Sequence, residues 1–128
     1  MNRAEIDWMI KEYGESAAIA IGQGVDVIEL HANHDDLLQR FLSPKTNKRT
    51  DEYGGSDEGR RKFLKDVVES IRARQPRQVT LGLRLCIDEL IDGGYDVNYC
   101  RYMLEKFTAE GTVDYFSLDV GNNWGVPS

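Results

Sequence analysis

Residues 25–56 read VDVIELHANHDDLLQRFLSPKTNKRTDEYGGS, and the character of the sequence changes twice within this stretch. It begins as an apolar strand that runs directly into His31, His34, Asp35 and Asp36. A long polar loop follows and closes on the triplet GGS. Because titratable side chains gather in functional clefts, an apolar strand that opens into several of them is typical of the mouth of an active site.

Three apolar segments of the chain have the length and pattern of β-strands, namely residues 25–31, 79–86 and 113–120. Helical patterns lie before the first strand and between the strands, with apolar residues recurring about every 3.6 positions. Asn2 and Glu5 have the spacing of a capping box at the start of a first helix. Ser56 is a predicted cap for a second helix, and Gly111 predicts the end of a third. Alternating helices and strands predict a parallel sheet with crossover helices.

Side-chain alternation along the strands distinguishes a barrel from an open sheet. In the first strand, Ile28 and Leu30 share one face, while Glu29 and His31 share the other. The other two strands repeat this pattern, with polar groups on the second face near the C-terminal end. An open doubly wound sheet favours apolar residues on both faces, whereas a (β/α)8 barrel lines its active site with one inward face. The predicted fold class is α/β, a partial (β/α)8 TIM barrel with about three central β/α units.

A complete barrel needs ~250 residues, and this chain has 128. Three strands leave both edges of the sheet unpaired and the inner face without its opposing wall. We therefore expect residues 1–128 to be an internal fragment of one barrel domain, and not a stable monomer alone.

Composition and charge narrow the classes of partner. The net charge of −6 disfavours nucleic acid and anionic membrane surfaces, because like charges repel. No apolar run approaches the ~20 residues of a membrane span, and the first residues lack the apolar segment of a signal peptide. Cys86 and Cys100 have neither disulfide-framework nor metal-ligand spacing, so we expect two buried thiols in a reducing cytoplasm.

Arg84 is a cation in LGLRLCI, an otherwise apolar strand, and it is expected on the inward face. An unpaired buried charge is very costly, so the guanidinium needs a partner. One interpretation is a structural salt bridge to an inward carboxylate, such as Glu29 or Asp119. The other is electrostatic stabilisation of an anionic ligand at the barrel mouth.

His31 and His34 allow three interpretations. Two imidazoles without a clear third ligand are a weak zinc signal, so no metal site is predicted. The pair fits better as hydrogen-bond donors to a substrate oxygen or a developing anion, and the third interpretation satisfies both rings with neighbouring carbonyls or Asp35. Asp35 is also the expected cap of the short helix DLLQRFL, and Asp36 is the alternative candidate.

The residues described above resemble a known family. GVDVIELHANH, LLQRFLSPKTNKRTDEYGGS, RRKFL and LGLRL are similar to segments of the old yellow enzyme family of NADH:flavin oxidoreductases. The resemblance covers nearly the whole chain, and the pattern FLSP-x-x-N-x-RTDEYGGS is long and specific. It implies a (β/α)8 barrel that binds FMN non-covalently, with these segments as its fourth to sixth strands.

The resemblance also implies roles for single residues. His31 and His34 stand where the family binds substrate oxygens above the flavin, so they are the expected catalytic residues. Arg84 stands where the family has an arginine against the flavin, so it is the expected cofactor-binding residue. The implied chemistry is hydride transfer between FMN and a small-molecule substrate, with NAD(P)H as an electron donor. A homo-oligomer of the full-length protein is compatible with the family.

Departures from the family pattern bear on the substrate. Alkene-reducing members have a tyrosine proton donor where this chain has Asp36, and an ionised aspartate is a poor donor unless burial raises its pKa. Gly59 replaces the asparagine of GGS-x-E-N-R. The third strand, YFSLDVGNNWGVPS, is more similar to the dimethylglycine and trimethylamine dehydrogenases, and Asn122 falls near an acidic position of that branch.

That branch implies an N-methylated amine as the substrate, with Asp36 and Asn122 as substrate-binding residues and an activated alkene as the alternative. It also allows a [4Fe-4S] cluster in the full-length protein, held outside this segment. Two other hypotheses stay open. One is a non-catalytic, truncated barrel segment, and the other is a metal-dependent barrel hydrolase that uses His31, His34 and a carboxylate.

Overall fold

A computed structural model describes residues 1–121, so Asn122 lies outside the described residues. The elements follow one another as α1 (Arg3–Gly22), β1 (Val27–Ala32), α2 (Leu37–Leu42), α3 (Asp57–Arg74), β2 (Thr80–Cys86), α4 (Val97–Glu110) and β3 (Tyr115–Asp119). The three strands form one parallel sheet in the order β1-β2-β3. The predicted strands are confirmed, with ends shifted by one or two residues.

The helix ends follow from local side-chain chemistry, as the sequence predicts. The Asn2 side chain accepts from Glu5 N at 2.9 Å, and Glu5 Oε2 accepts from Asn2 N at 2.7 Å, which completes the capping box of α1. Ser56 caps α3 by accepting from Gly59 N at 3.0 Å. Gly111 ends α4 in the left-handed conformation, with φ of 68°. These contacts satisfy backbone groups that have no partner inside the helix.

The two faces of the sheet differ as the alternation predicts. On the helix-covered face, Leu30 is 6% exposed and Leu83 is fully buried. On the opposite face, Val27 is 50% exposed, and Glu29 and His31 are also exposed. The covered face packs with α1, α3 and α4 into a single apolar core. The other face, called the inner face below, carries the polar side chains of all three strands.

A buried arginine joins α3 to α4, and sequence patterns alone do not predict it. The Arg61 side chain is 2% exposed and lies 2.8 Å from Glu58 and 2.5 Å from Glu110. Its guanidinium also lies 4.8 Å from the ring centroid of Phe107. Two carboxylates and an aromatic face therefore replace the water that this cation loses on burial. Within the described residues, no helix is long and apolar enough to cross a membrane.

Candidate active site at the strand ends

Parallel pairing brings one polar residue from each strand into a row across the inner face. His31 of β1 is paired with Arg84 of β2, and Arg84 is paired with Ser117 of β3. Asp119, at the end of β3, is paired with Cys86. The row lies toward the C-terminal ends of the strands, where β/α barrels place their active-site residues. The sheet register thus brings together His31 and Arg84, which the sequence singled out separately.

The two histidines form a directly bonded pair. His34 Nδ1 lies 3.2 Å from His31 Nε2, and the ring centroids are 5.0 Å apart with the planes tilted by 46°. One of these nitrogens has to carry the proton while the other accepts it. Within residues 1–121, no group of three or more His, Cys, Asp or Glu side chains is arranged to hold a metal ion.

A strained turn brings His34 back toward His31. His34 and Asp35 have φ values of 53° and 62°, which is the left-handed region that non-glycine residues rarely adopt. Asn33, which is 1% exposed, stabilises the turn by accepting from His34 N at 2.8 Å through Oδ1. Without this reversal the His34 side chain would not lie over the end of its own strand.

The expectation that Asp35 caps α2 is wrong, because Asp36 is the cap. A helix cap needs extended backbone, which Asp36 has with φ of −76° and ψ of 179°, whereas Asp35 is left-handed. Asp36 Oδ1 accepts from Gln39 N at 3.1 Å. The Asp35 carboxylate instead lies 2.8 Å from Arg40.

Asp36 is half-buried, and its environment changes its acidity. Burial raises the pKa of this carboxyl above the ordinary aspartate range, against the opposing influence of the Gln39 N–H and the two nearby histidines. The pKa of Asp36 is therefore shifted in the direction that an aspartate needs in order to serve as a proton donor. The cap hydrogen bond nevertheless favours the ionised form, because a carboxylate accepts from an N–H more strongly than a carboxylic acid does.

Arg84 forms the salt bridge that one interpretation expects, and a donor remains. Its Nη2 donates to Asp119 Oδ2 at 2.9 Å. Its Nε is buried and has no hydrogen-bond partner among the described residues. A buried N–H of a charged group without a partner is costly, which makes this atom a candidate contact for a ligand.

Asp119 has a larger role than the partner for Arg84 that the sequence predicts. Its Oδ2 also lies 3.4 Å from His34 Nε2 and 3.4 Å from Asn33 Nδ2. The Val120 N–H and the Arg84 guanidinium lower the pKa of Asp119, so it is a carboxylate at neutral pH. Asp119 therefore connects the imidazole pair to the arginine, and its position at a strand end was the available signal.

The lower part of the inner face is closed by an aromatic ring. A Cβ added to Gly82 would lie 2.1 Å from Cζ of Tyr115, so the ring lies directly across this glycine. Burial and the neighbouring Glu29 raise the pKa of the Tyr115 hydroxyl. Gly82 thus leaves the space that the ring occupies, below the row that contains Arg84.

Parallel strands with a cation, two imidazoles and a carboxylate at their C-terminal ends are the arrangement of a β/α-barrel enzyme segment. The chain belongs to the NADH:flavin oxidoreductase / NADH oxidase family, whose model matches residues 1–121. Its fold is a partial TIM barrel of the kind found in the oxidoreductases that it resembles, as predicted. The structure of 2-naphthoyl-CoA reductase in complex with 2-naphthoyl-CoA matches it with a TM-score of 0.88 and 32% identity, over 96% of this chain and 19% of that chain.

Two curated relatives represent different activities. The chain is 36% identical over 110 residues to an NADPH dehydrogenase of Bacillus subtilis, covering 83% of this chain and 32% of the relative. It is 35% identical over 114 residues to an N,N-dimethylglycine/sarcosine dehydrogenase of Chromohalobacter salexigens, covering 89% of this chain and 16% of the relative. The chain therefore spans between about a sixth and a third of the length of these relatives.

Proposed function

We propose that the chain contributes three consecutive β/α units to the barrel of an FMN-dependent oxidoreductase acting on a small substrate. The observation that carries the proposal is the Arg84 guanidinium, held on the inner face with a buried Nε that has no partner among residues 1–121. In this proposal the chain supplies the strand ends between the substrate and one edge of the cofactor. Membership of the flavin oxidoreductase family supports this assignment.

The residues present fit FMN in their chemistry. The pyrimidine edge of the isoalloxazine ring offers carbonyl and ring-nitrogen acceptors that gain negative charge on reduction, and Arg84 offers a permanent cation with a free donor. Bound FMN supplies reversible two-electron chemistry, passing a hydride between a donor such as NAD(P)H and a second substrate. A fixed cation beside the accepting edge favours the reduced, anionic form and so raises the reduction potential.

The remaining residues bind and orient the substrate. His31 and His34 are hydrogen-bonded to each other, and His34 Nε2 faces Asp119. When His34 Nδ1 is the donor within the pair, neutral His31 carries its proton on Nδ1 and can donate it to a substrate oxygen. Asp119 fixes the guanidinium of Arg84 and contacts His34 at the same time. Together these side chains place a polar wall on the substrate side of the proposed cofactor.

We propose an N-methylated amine as the substrate. Asp36 and Asp119 both lie near the histidine pair, and carboxylates favour a cationic ammonium ligand. The similarity to the dimethylglycine/sarcosine dehydrogenase agrees with this choice. Asn122 remains a predicted contact of this substrate.

Reduction of an activated alkene by NAD(P)H is the second candidate. One specific observation favours it: burial raises the pKa of Asp36, which stands where alkene reductases resembling this chain have their proton donor. The similarity to the NADPH dehydrogenase agrees with this alternative. The two candidates differ in what Asp36 does, since one needs a charged carboxylate and the other a protonated one.

The experiment uses the protein expressed from its complete reading frame. We expect a flavin absorption spectrum, and FMN in the supernatant after denaturation. Under anaerobic conditions, dimethylglycine should bleach the flavin band if the substrate is an amine, whereas NADPH followed by an activated alkene should bleach and restore it in the other case. A protein that retains no flavin, or a flavin that no such donor bleaches, would contradict the proposal.

Compartment and assembly complete the proposal. We infer a cytoplasmic protein, since Cys86 and Cys100 are both free and buried in the fold and a reducing compartment keeps thiols in that state. Its ligands are small molecules, and a homo-oligomer is the proposed assembly. A [4Fe-4S] cluster in the full-length protein would be held by other residues, because such a cluster needs about four cysteine ligands and this chain has two.

A further inference from the structure

Two buried polar side chains lie behind the histidine pair, and the proposed chemistry does not use them. Gln39 of α2 and Glu89 in the loop after β2 are each 1% exposed. Gln39 Nε2 donates to Glu89 Oε1 at 2.9 Å across a sequence separation of 50 residues. Burial of an amide and a carboxylate is unfavourable unless their polar atoms find partners, so the contacts that they make indicate their role.

The Glu89 carboxylate accepts hydrogen bonds from residues in two loops. Its Oε2 accepts from Ser43 Oγ at 2.6 Å and from Tyr95 N at 2.8 Å. Its Oε1 accepts from Gln39, as described above. The carboxylate therefore connects the loop after β2 to the C-terminal end of α2, and its contacts with Gln39, Ser43 and Tyr95 fix its orientation.

Gln39 transmits this fixed position to the strained turn. Its Oε1 accepts from Asp35 N at 2.8 Å, and its own backbone N–H donates to the Asp36 carboxylate at 3.1 Å. The amide can take only one orientation, because the reverse would place its NH₂ against the Asp35 N–H and its oxygen against the Glu89 carboxylate. Gln39 thus holds Asp35 by the side chain and Asp36 by the backbone.

The turn held in this way is the one that places His34. Its two left-handed residues, His34 and Asp35, have backbone conformations that persist only where the surroundings impose them. The His34 ring owes its 3.2 Å contact with His31 to this reversal of the chain. Release of Asp35 would let the turn relax toward more common backbone conformations and carry the imidazole away.

We infer that Gln39 and Glu89 are positioning residues that set the spacing and the tautomers of the His31–His34 pair. Both side chains act through the Asp35 backbone. The inference rests on the proposed function only for what the histidines bind. The geometry of the pair can be measured whether or not a flavin is present.

The hydrogen-bond directions allow an exchange experiment. Glu89→Gln alone sets its new NH₂ group against either the Gln39 NH₂ or the Tyr95 N–H, and Gln39→Glu alone sets two buried carboxylates against each other. The double variant Gln39→Glu/Glu89→Gln restores each bond with its direction reversed. In it, Glu at position 39 accepts from Asp35 N and from the new amide, whose oxygen accepts from Ser43 and Tyr95. Ser43→Ala is the matched control, because it removes one bond to Glu89 and leaves the link through Gln39.

Imidazole ¹⁵N chemical shifts are the readout, because they report which ring nitrogen carries the proton. The experiment uses the full-length protein, with the two signals assigned from His31→Gln and His34→Gln. Each single exchange should move both histidines toward the shifts of a free imidazole and abolish the ring-to-ring nuclear Overhauser effect. The double variant should restore both signals, and Ser43→Ala should leave them unchanged.

Kinetics separate this inference from the proposed function. In a flavin-loaded protein, each single exchange should lower kcat/KM by about 10²-fold, the cost of displacing a binding group by about 1 Å, while FMN is retained. If the protein binds no FMN, the proposed function fails and the ¹⁵N shifts still decide the positioning role. Unchanged histidine signals in both single variants would overturn the inference. So would a double variant that recovers neither the fold nor the histidine signals.

Discussion

Gly59→Ala is predicted to destabilise the protein, although alanine is the better helix former. Gly59 lies in the first turn of α3, and a Cβ there would meet Gly54 O at 2.2 Å and Gly54 C at 2.9 Å. Ordinary contacts between such atoms need about 3.5 Å. Because the obstacle is backbone and not a flexible side chain, the start of the helix has to move by about 1 Å.

The competing contributions to this change can be estimated separately. Alanine in place of glycine favours a helix by about 1 kcal/mol. Overpacking against a fixed neighbour costs about 1–3 kcal/mol, and the same movement strains the cap between Ser56 Oγ and Gly59 N, which is worth about 0.5–2 kcal/mol. The unfavourable contributions are larger, so the free energy of unfolding should fall by about 2 kcal/mol.

Urea unfolding followed by circular dichroism measures this change, with Gly22→Ala as the matched control. Gly22 ends α1, and no atom lies within 4 Å of a Cβ added there. The control should therefore leave stability unchanged or raise it by up to about 1 kcal/mol. A Gly59→Ala protein as stable as the wild type would refute the reasoning, as would equal shifts for the two variants.

Four further predictions concern the site and the buried arginine that joins α3 to α4. Arg84→Met should weaken FMN binding in a fluorescence titration about 10- to 150-fold, the loss of a charge-assisted hydrogen bond of roughly 1.5–3 kcal/mol; an unchanged affinity would remove Arg84 from the cofactor site. Asp36→Asn should gain thermal stability relative to wild type as pH rises above 3.8, because the pKa of Asp36 is raised in the folded protein. Asp119→Asn should be less stable than wild type at neutral pH and approach it in acid, because the pKa of Asp119 is lowered in the folded protein. Arg61→Met should lower the free energy of unfolding by about 3 kcal/mol in urea, since it leaves Glu110 without its buried partner.

Most of the fold could be predicted because it depends on short-range patterns. The caps at Asn2, Ser56 and Gly111 each involve side chains or backbone within one helical turn. Strand alternation correctly separated Leu30 from His31, since residues two apart always share a face. The partial barrel then followed from the polar inner face, which an open sheet would not favour.

The site could be predicted only in part, because its geometry depends on contacts between distant residues. His31 and Arg84 can be recognised in the sequence as polar groups on apolar strands, but predicting that they are paired requires the sheet register. The sequence does not show which of the adjacent residues Asp35 and Asp36 caps α2, because no residue pattern predicts the left-handed conformation of Asp35. The Gln39–Glu89 contact spans 50 residues and follows no periodic pattern.

The salt bridge of Arg84 and its proposed cofactor role are compatible, although the sequence presented them as alternatives. A guanidinium has five N–H donors in one plane, and Asp119 is bound through Nη2. That contact orients the plane and leaves Nε buried with no partner among the described residues. Since Asp119 also contacts His34, a change at this carboxylate should disturb the arginine and the imidazole pair together. In the proposed cofactor role, the salt bridge thus orients the guanidinium that would face the anionic ring edge.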